Sequence, residues 1–495
     1  MTLKSNPTTL PRITKHVLKG AHRCPTLGWR MARTSEPVPL SLKMRFHQGN
    51  HVEEVALEQI GPGQRMPANK HLGCQMTAQA LHSGSSSMIF QPAFSVNGVV
   101  IRPDVISSKN REIKEIKCAK SLKDDYILDL AINKAAAEHN GFQIDSSTLM
   151  LVNPEHRCGD GNSKMVEIDL TKEVDKISET YDIVEDIAML RQPESPTPLL
   201  GRDCRKCSFI SDCFEDSGDL AIHIPRLTEL KLSSFVGNDL LYMGDLESDE
   251  MLFNTLTAKQ QEFVWAHLEP VAEFETPPCV NREALRTHAW LDNPVHHHLD
   301  FETANPAIPV RVGESPYSHS VTQFSVTTDD GVQLRESSFI TDGSDDREAL
   351  IEALLAATEG DEPIVVYSES FEKGRIRELA QFFPQHTNAL NCLLERIVDL
   401  RPVVHDAVSG LPGESLKVVA PFAEPTFSYD DLVISKGDTA NAVMSLLLIP
   451  GGESVLHSHS GLTPKQARDE LLRYCARDTL GTAVIVRYFK RLLNS

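Results

Sequence analysis

The most constraining stretch of the chain runs from Ser86 to Lys120, SSMIFQPAFSVNGVVIRPDVISSKNREIKEIKCAK. Asn97-Gly98 stands between apolar, β-branched runs, and both residues tolerate the positive φ that a two-residue hairpin turn demands. The stretch reads as two strands joined by a tight turn, followed by a third. The second strand is expected to run from Val99 to Ile106 and carries Asp104. The third, Glu112 to Cys118, carries Glu115-Ile116-Lys117. Alternate residues of a strand share a face, so Glu115 and Lys117 point the same way, and Asp104 on a neighbouring strand can meet them. Two carboxylates able to hold a divalent cation, with a lysine beside them, suit phosphodiester hydrolysis. The cation polarises the phosphate and lowers the pKa of an attacking water, while the lysine orients water or stabilises charge. The bland reading of the same residues is a solvated strand face with an exposed ion pair, worth little.

A chain of 495 residues has room for about two to four domains with sizeable cores. It has no apolar run of transmembrane length and no signal-peptide apolar core at its start, so no membrane partner is expected and cytoplasm is the expected compartment. The net charge of −20 argues against a generic nucleic-acid coat protein, because neutralising phosphates takes Lys and Arg. The distribution softens this: residues 1–45 hold nine Lys/Arg against the single acid Glu36. Acid-rich metal centres also add negative charge without repelling a substrate.

Residues Ile13 to Ala32 read as a short amphipathic helix, then Cys24-Pro25, then a second helix around Trp29. A helix is expected over Phe46 to Ile60, opening after Gly49, another over Ser121 to His139, and strands over Ser147 to Asn153 and Met165 to Leu170. Thr171 to Arg191 reads as helix. Then GRDCRKCSFISDCF places Cys204, Cys207 and Cys213 at C-x2-C-x5-C. Three thiols this close lack the fourth ligand of a closed site, and no His lies near in sequence, which leaves Cys24 as the natural fourth. An iron–sulphur cluster and a zinc site both suit four thiolates, with unliganded cysteines as the bland alternative.

Pro103-Asp104, a spacer, then Glu115-x-Lys117 resembles the PD-(D/E)xK nucleases. Adding one N-terminal Cys and the late cysteine triplet, the region from Ile13 to Phe214 resembles the RecB-type nucleases that carry a 4Fe–4S cluster, a group that includes CRISPR-associated RecB-like exonucleases. The resemblance implies a PD-(D/E)xK fold, a Mg²⁺ or Mn²⁺ site on Asp104 and Glu115, and Glu53, four residues after Gly49, in the metal shell. It also implies cluster ligation by Cys24, Cys204, Cys207 and Cys213. The chain departs from that family where a Gln and a Tyr are usual on the helix after the Lys; Asp129 and Asn133 stand there instead.

A second constellation opens at His296, where Asp300 and Glu302 alternate onto one strand face. Strands are expected at Phe324–Val326, Ser337–Ile340 and Pro363–Tyr367, with Glu372 at the corner where a helix follows from Lys373, and a last helix over Pro464 to Leu493. On that helix Tyr474 and Asp478 lie one turn apart and share a face. Asp-x-Glu, a later acid and Tyr-x-x-x-Asp resemble the DEDD exonucleases of RNase H-like fold. The resemblance implies that Asp300, Glu302, Glu372 and Asp478 hold two divalent cations, that Tyr474 positions water, and that Asp399 and Lys417 support them. Glu372 stands where Asp is usual, and Ser368 where Asn is usual.

Both modules together resemble prokaryotic RecB-like proteins with a C-terminal RNase H-like domain. The expected organisation is a nuclease domain over 1–218, a helical connector over 219–294 containing a small helix–loop–helix at Leu230 to Glu247, and an exonuclease domain over 295–495. The class is α/β throughout. The expected activity is metal-dependent cleavage of nucleic acid, DNA favoured, from strand ends. The competing reading is a scaffold that uses both folds to grip nucleic acid without cutting. His296, His297 and His298 are expected in a solvated loop, as are His405, His457 and His459. Cys74, Cys118, Cys158, Cys279, Cys392 and Cys475 read as ordinary thiols. No Walker sequence is present, so no ATPase motor is indicated.

Overall fold

Asn97 and Gly98 adopt φ of 47° and 76°, and the turn they make joins Phe94–Val96 to Val99–Ile101 as an antiparallel hairpin. The computed structural model that shows this describes residues 11–35, 38–84, 86–268 and 278–495. The start of the chain, on which the leader expectation rests, and residues 269–277 of the expected connector lie outside the described residues. The strand expected over Val99 to Ile106 is two strands. It breaks at Pro103, which has no N–H for a ladder, and resumes as Val105–Ser107. The hairpin forms its own small sheet, while Val105–Ser107 joins a six-stranded sheet. The order there is Gln64–Arg65, Met88–Phe90, Val105–Ser107, Glu112–Lys117, Ser146–Val152, Met165–Asp169. Glu112–Lys117 runs antiparallel to Val105–Ser107 and parallel to Ser146–Val152.

Helix Asp124–His139 covers one face of this sheet, burying Leu128, Leu130, Ile132 and Ala136 against Ile113, Leu149 and Leu151. The expected helix over Thr171 to Arg191 is two helices, Thr171–Ser178 and Ile183–Leu190, the second opened by Asp182, whose carboxylate accepts from Val184 N and Glu185 N. Near the N-terminus, Lys15–Arg23 and Pro25–Met31 form a tight helical corner at Cys24. Glycine is required at this corner by space. A Cβ on Gly28 would sit 2.5 Å from the Cα of Ala21.

The second sheet has the order Leu334–Ile340, Ser320–Asp329, His296–Ala304, Ile364–Val366, Ile397–Asp399. Its first three strands are antiparallel and its last two join parallel. The long helix Pro464–Asn494 crosses one face. It opens with Thr463 and Gln466 capping each other and Pro464 in the first turn. Its buried residues Leu471, Tyr474, Cys475, Ile485, Val486 and Phe489 fall on one stripe at helical spacing.

The histidine run is not a loop. His296, His297 and His298 begin the central strand and are all buried. His298 Nδ1 lies 3.1 Å from Thr482 Oγ1 on the long helix, and His296 Nε2 lies 3.0 Å from Trp290 O. Burial pushes the His298 imidazole down to about 3, so it is neutral at physiological pH. His405 lies on helix Leu400–Ala407, and His457 and His459 lie on helix Gly452–Ser460. Loop composition around them concealed short helices capped by Asp399 and ended by Gly461.

Within 219–294, helices Glu229–Gly237, Met243–Ser248, Glu250–Phe253 and Ala258–Leu268 close a small core on Phe235, Met243, Leu246 and Val264. The remainder behaves differently: Leu285 and Leu291 enter the core of the second sheet's unit, and Cys279–Val280 pairs with Val408–Ser409. The two sheets' units also touch. Helix Leu40–Ile60 begins ten residues earlier than the sequence suggests and lays Met44 in the second unit's core and Val52, Val55 and Ala56 in the first's. Among the described residues, no helix is long and apolar enough to cross a membrane.

The corner at Cys24 yields a first test. Replacing Gly28 by Val should force the two N-terminal helices apart and cost about 1–3 kcal/mol or more. Urea unfolding of the full chain measures it, and an unchanged midpoint would contradict the close approach.

Candidate active sites

The first site grows from the register of two strands. Val105 pairs with Lys114, which sets Asp104 opposite Glu115 at the strand end. Asp104 Oδ2 accepts from Ile116 N at 2.7 Å. Glu115 is 2% exposed. Its Oε1 takes Lys117 Nζ at 2.6 Å and Lys15 Nζ at 2.7 Å, and its Oε2 takes Asn133 Nδ2 at 2.7 Å. Lys117 also reaches Asp129 at 2.7 Å, and Lys19 reaches the same Asp129 oxygen at 3.0 Å. Asp129 and Asn133, where the resembled family has other residues, are thus wired into the site from the helix after the lysine strand. Burial pushes the Asp104 carboxyl up, and the neighbouring Glu115 adds to it, to about 7. Burial also acts upward on Glu115, but Lys15 and Lys117 outweigh it and bring the carboxyl down to about 2.

Glu53 joins this centre through an intermediary that the sequence did not reveal. Gln91 Nε2 donates to Glu53 Oε1 at 2.6 Å and to Asp104 Oδ1 at 3.3 Å. Burial raises the Glu53 carboxyl. Glu54, its neighbour, faces out and pairs with Arg65. Lys15 and Lys19 were also missed, because both lie about a hundred residues from their partners and no local pattern links them.

The second site is a carboxylate cluster. Asp300 and Glu302 stand two apart on the central strand, and Asp478 meets them from the long helix. Ligand oxygens of these three all lie within 4.8 Å of one another. No lysine or arginine forms an ion pair with Asp300, Glu302 or Asp478 among the described residues. Tyr429 Oη donates to Asp478 Oδ1 at 2.5 Å, and Tyr474 also hydrogen-bonds Asp478. Cys475 Sγ lies 3.4 Å from Asp300 Oδ2, so this buried thiol, read as ordinary, faces the cluster. Lys417 Nζ stands 5.0 Å from the ring centroid of Tyr429 and 5.2 Å from that of Tyr474.

Glu372 lies in the first turn of helix Glu369–Phe382, which begins four residues earlier than expected. It is buried, its Oε2 has no hydrogen-bond partner, and its charge acts on Asp300. Asp399 caps this helix, accepting from Ser368 N at 2.9 Å and Glu369 N at 3.0 Å, and Ser368 adopts φ of 90° to make the corner. That corner aims Glu372 inward. Burial and mutual repulsion push the Asp300 carboxyl well up, burial and Asp478 bring Glu302 to about 8, and burial first brings Glu372 to about 7.

The four cysteines named from spacing form no disulfide among the described residues, and all are half-buried. Cys204 and Cys213 each feel the charge of Cys207 and of Cys24, so the N-terminal corner and the C-x2-C-x5-C segment converge. Arg30 fastens them, donating to Asp212 O at 2.6 Å. A further grouping, Glu348, Glu352 and His386, lies on the surface, where Glu348 accepts from Gln385 and His386.

Residues 297–416 match a family described as a domain of unknown function, DUF2779. The chain is 26% identical over 222 residues to an uncharacterised protein of Mycoplasma pneumoniae, the homologue of MG366, covering 40% of this chain and 32% of that one. It is 26% identical over 221 residues to the uncharacterised MG366 of Mycoplasma genitalium, with the same coverage. The chain thus spans about a third of these relatives' length. A solved structure described as "Crystal structure of SSO0001" aligns with 17% identity over 40% of this chain and 95% of its own, at a TM-score of 0.16. A superposition that loose carries no argument about fold.

The unpaired acids fix a pH dependence. Their folded pKa values lie above the unfolded ones, so Glu302 and Glu372 contribute stability that is lost as pH rises between about 4.5 and 8, opposite in sign to the buried neutral His298. In thermal melts of chelator-treated protein, Glu302→Gln should therefore gain stability relative to wild type as pH rises through this range. Equal slopes for both proteins would contradict the assignment.

Proposed function

We propose that the chain is a divalent-metal-dependent nuclease, hydrolysing phosphodiester bonds of DNA or RNA at two centres and working from strand ends. In this reading the first unit has the PD-(D/E)xK fold, the second an RNase H-like fold, and Cys24, Cys204, Cys207 and Cys213 hold a structural 4Fe–4S cluster, with zinc as the alternative. The observation that carries it is the second site's chemistry. Three half-buried carboxylates with ligand oxygens within 4.8 Å, and a fourth with an orphaned buried oxygen, are costly to crowd together without positive charge. An all-oxygen donor set suits Mg²⁺ or Mn²⁺.

Cations bound there would supply Lewis acidity toward the phosphate and activation of water. The chain supplies the rest. Asp300, Glu302, Glu372 and Asp478 hold the cations, the Tyr474 hydroxyl orients water from its place beside Asp478, and Tyr429 fixes the Asp478 carboxylate. In the first centre, Asp104 and Glu115 are the acidic pair, with Glu53 reached through Gln91. Lys117 neutralises charge developing on the phosphate.

A second reading concerns the first centre alone: it grips nucleic acid without cutting. The observation that favours it is the saturation of Glu115, whose two oxygens accept from Lys15, Lys117 and Asn133.

Cleavage of end-labelled single- and double-stranded DNA and RNA with Mn²⁺ or Mg²⁺ tests both readings. Asp300→Ala should lower activity at least ~10²-fold. If Lys117→Ala does the same on a different substrate, both centres cut; if Lys117→Ala leaves every activity intact, the gripping reading stands. Activity surviving in the double variant would overturn both sites. Separately, anaerobically purified protein should contain iron and absorb in the visible, and Cys24→Ser should lose both. Zinc in place of iron would contradict the cluster.

A further inference from the structure

A cavity of about 510 Å³ opens beside the first centre, against the exposed side of helix Lys15–Arg23. That volume is within the ~300–1,000 Å³ typical of pockets that enclose small ligands. Its lining joins two chemistries. Arg12, Lys19 and Arg23 bring positive charge, offset within the lining by Asp125, to which Arg23 hydrogen-bonds. Val17, Leu27, Met31 and Phe209 bring apolar surface. The Arg12 and His16 side chains are both exposed.

The cavity is connected to the chemistry through Lys19. This residue lines the cavity and stands 3.0 Å from Asp129, which is 2.7 Å from Lys117, which is 2.6 Å from Glu115. Its far wall comes from Ser208 and Phe209, inside the cysteine segment. A ligand seated there would touch the same ion chain that sets the reactive lysine.

We propose that this cavity is a nucleotide subsite of the first centre: it takes one unstacked base of a single strand on Val17, Leu27 and Met31 and the adjoining phosphate on Arg12, Lys19 and Arg23. The pairing of apolar and cationic surface selects a nucleotide over a bare anion, which would leave the apolar half idle. It selects a single strand over a duplex, because only an unpaired base can leave its stack to enter a pocket. The proposal rests on the nuclease reading of the first centre and adds where the strand lies.

The test is binding by the full chain in metal-free buffer, read as fluorescence anisotropy of 5′-labelled dT20, rU20 and a DNA duplex. Arg12→Ala and Arg23→Ala should each weaken single-strand binding about tenfold, as loss of a charge-assisted contact does, and should lower the salt slope by about 0.7. Leu27→Ala should weaken it with the slope unchanged, and none should alter duplex binding. The two single-strand arms identify which sugar the pocket accepts. In cleavage, the three variants should raise KM and leave kcat near wild type.

Wild-type affinity in all three variants overturns the subsite, while cleavage lost in Lys117→Ala would still support the nuclease reading. Loss only in the arginine variants overturns the base pocket and leaves a backbone clamp. If the variants behave as predicted but Lys117→Ala cleaves normally, the subsite stands and the assignment of chemistry beside it falls.

Discussion

Acidic groups crowded at one half-buried point without a cationic partner govern the second half of this chain. Asp300, Glu302 and Asp478 converge with no ion-pairing cation among the described residues, and Glu372 adds a fourth carboxyl with an oxygen left unsatisfied. Desolvation and repulsion both disfavour ionisation, so the acids hold protons far above their usual range. Folding energy from elsewhere must offset this cost. The packing of the long helix on the sheet supplies it through Leu471, Ile485, Val486 and Phe489, and hydrogen bonds from Tyr429 and Tyr474 moderate it at Asp478. The first centre solves the same problem by pairing. Glu115 is more deeply buried than Asp300, Glu302 or Asp478 but is held charged by two lysines.

The two centres are joined by packing as well as by chain. Gln48 Oε1 accepts from Ala307 N at 3.2 Å, in the segment that follows the Asp300 strand, and Glu53 stands on the same helix a turn and a half further on. Tyr317 Oη lies 3.1 Å from Cys118 Sγ, next to Lys117, and Lys120 Nζ donates to Pro316 O. Ala307 and Ile308 complete the apolar layer under the first sheet. The loop after the second centre's strand thus packs directly against the first centre's lysine strand.

Much of this was legible locally. Asn97-Gly98 marked its hairpin because the conformation it needs is encoded in two residues. Asp300-x-Glu302 and Tyr474-x-x-x-Asp478 were readable because strand and helix periods put each pair on one face. The misreading of the histidine run has a tertiary cause, which is that burial overrode composition. His296–His298 has a polar composition but a central-strand environment, with Thr328 and Thr482 as partners distant in sequence. Lys15, Lys19, Gln91 and Tyr429 belong to the sites only because the fold brings them there. No spacing rule reaches across such separations.

The central claim is that the converging acids of the second centre exist to hold divalent cations. The most direct measurement is a Mn²⁺ titration of the chelator-treated full chain, followed by electron paramagnetic resonance, for wild type and for Asp478→Asn. The account predicts bound Mn²⁺ in the wild type and fewer bound equivalents in the variant, since Asp478 bridges the helix to the strand acids. Identical Mn²⁺ binding by the two proteins would contradict it.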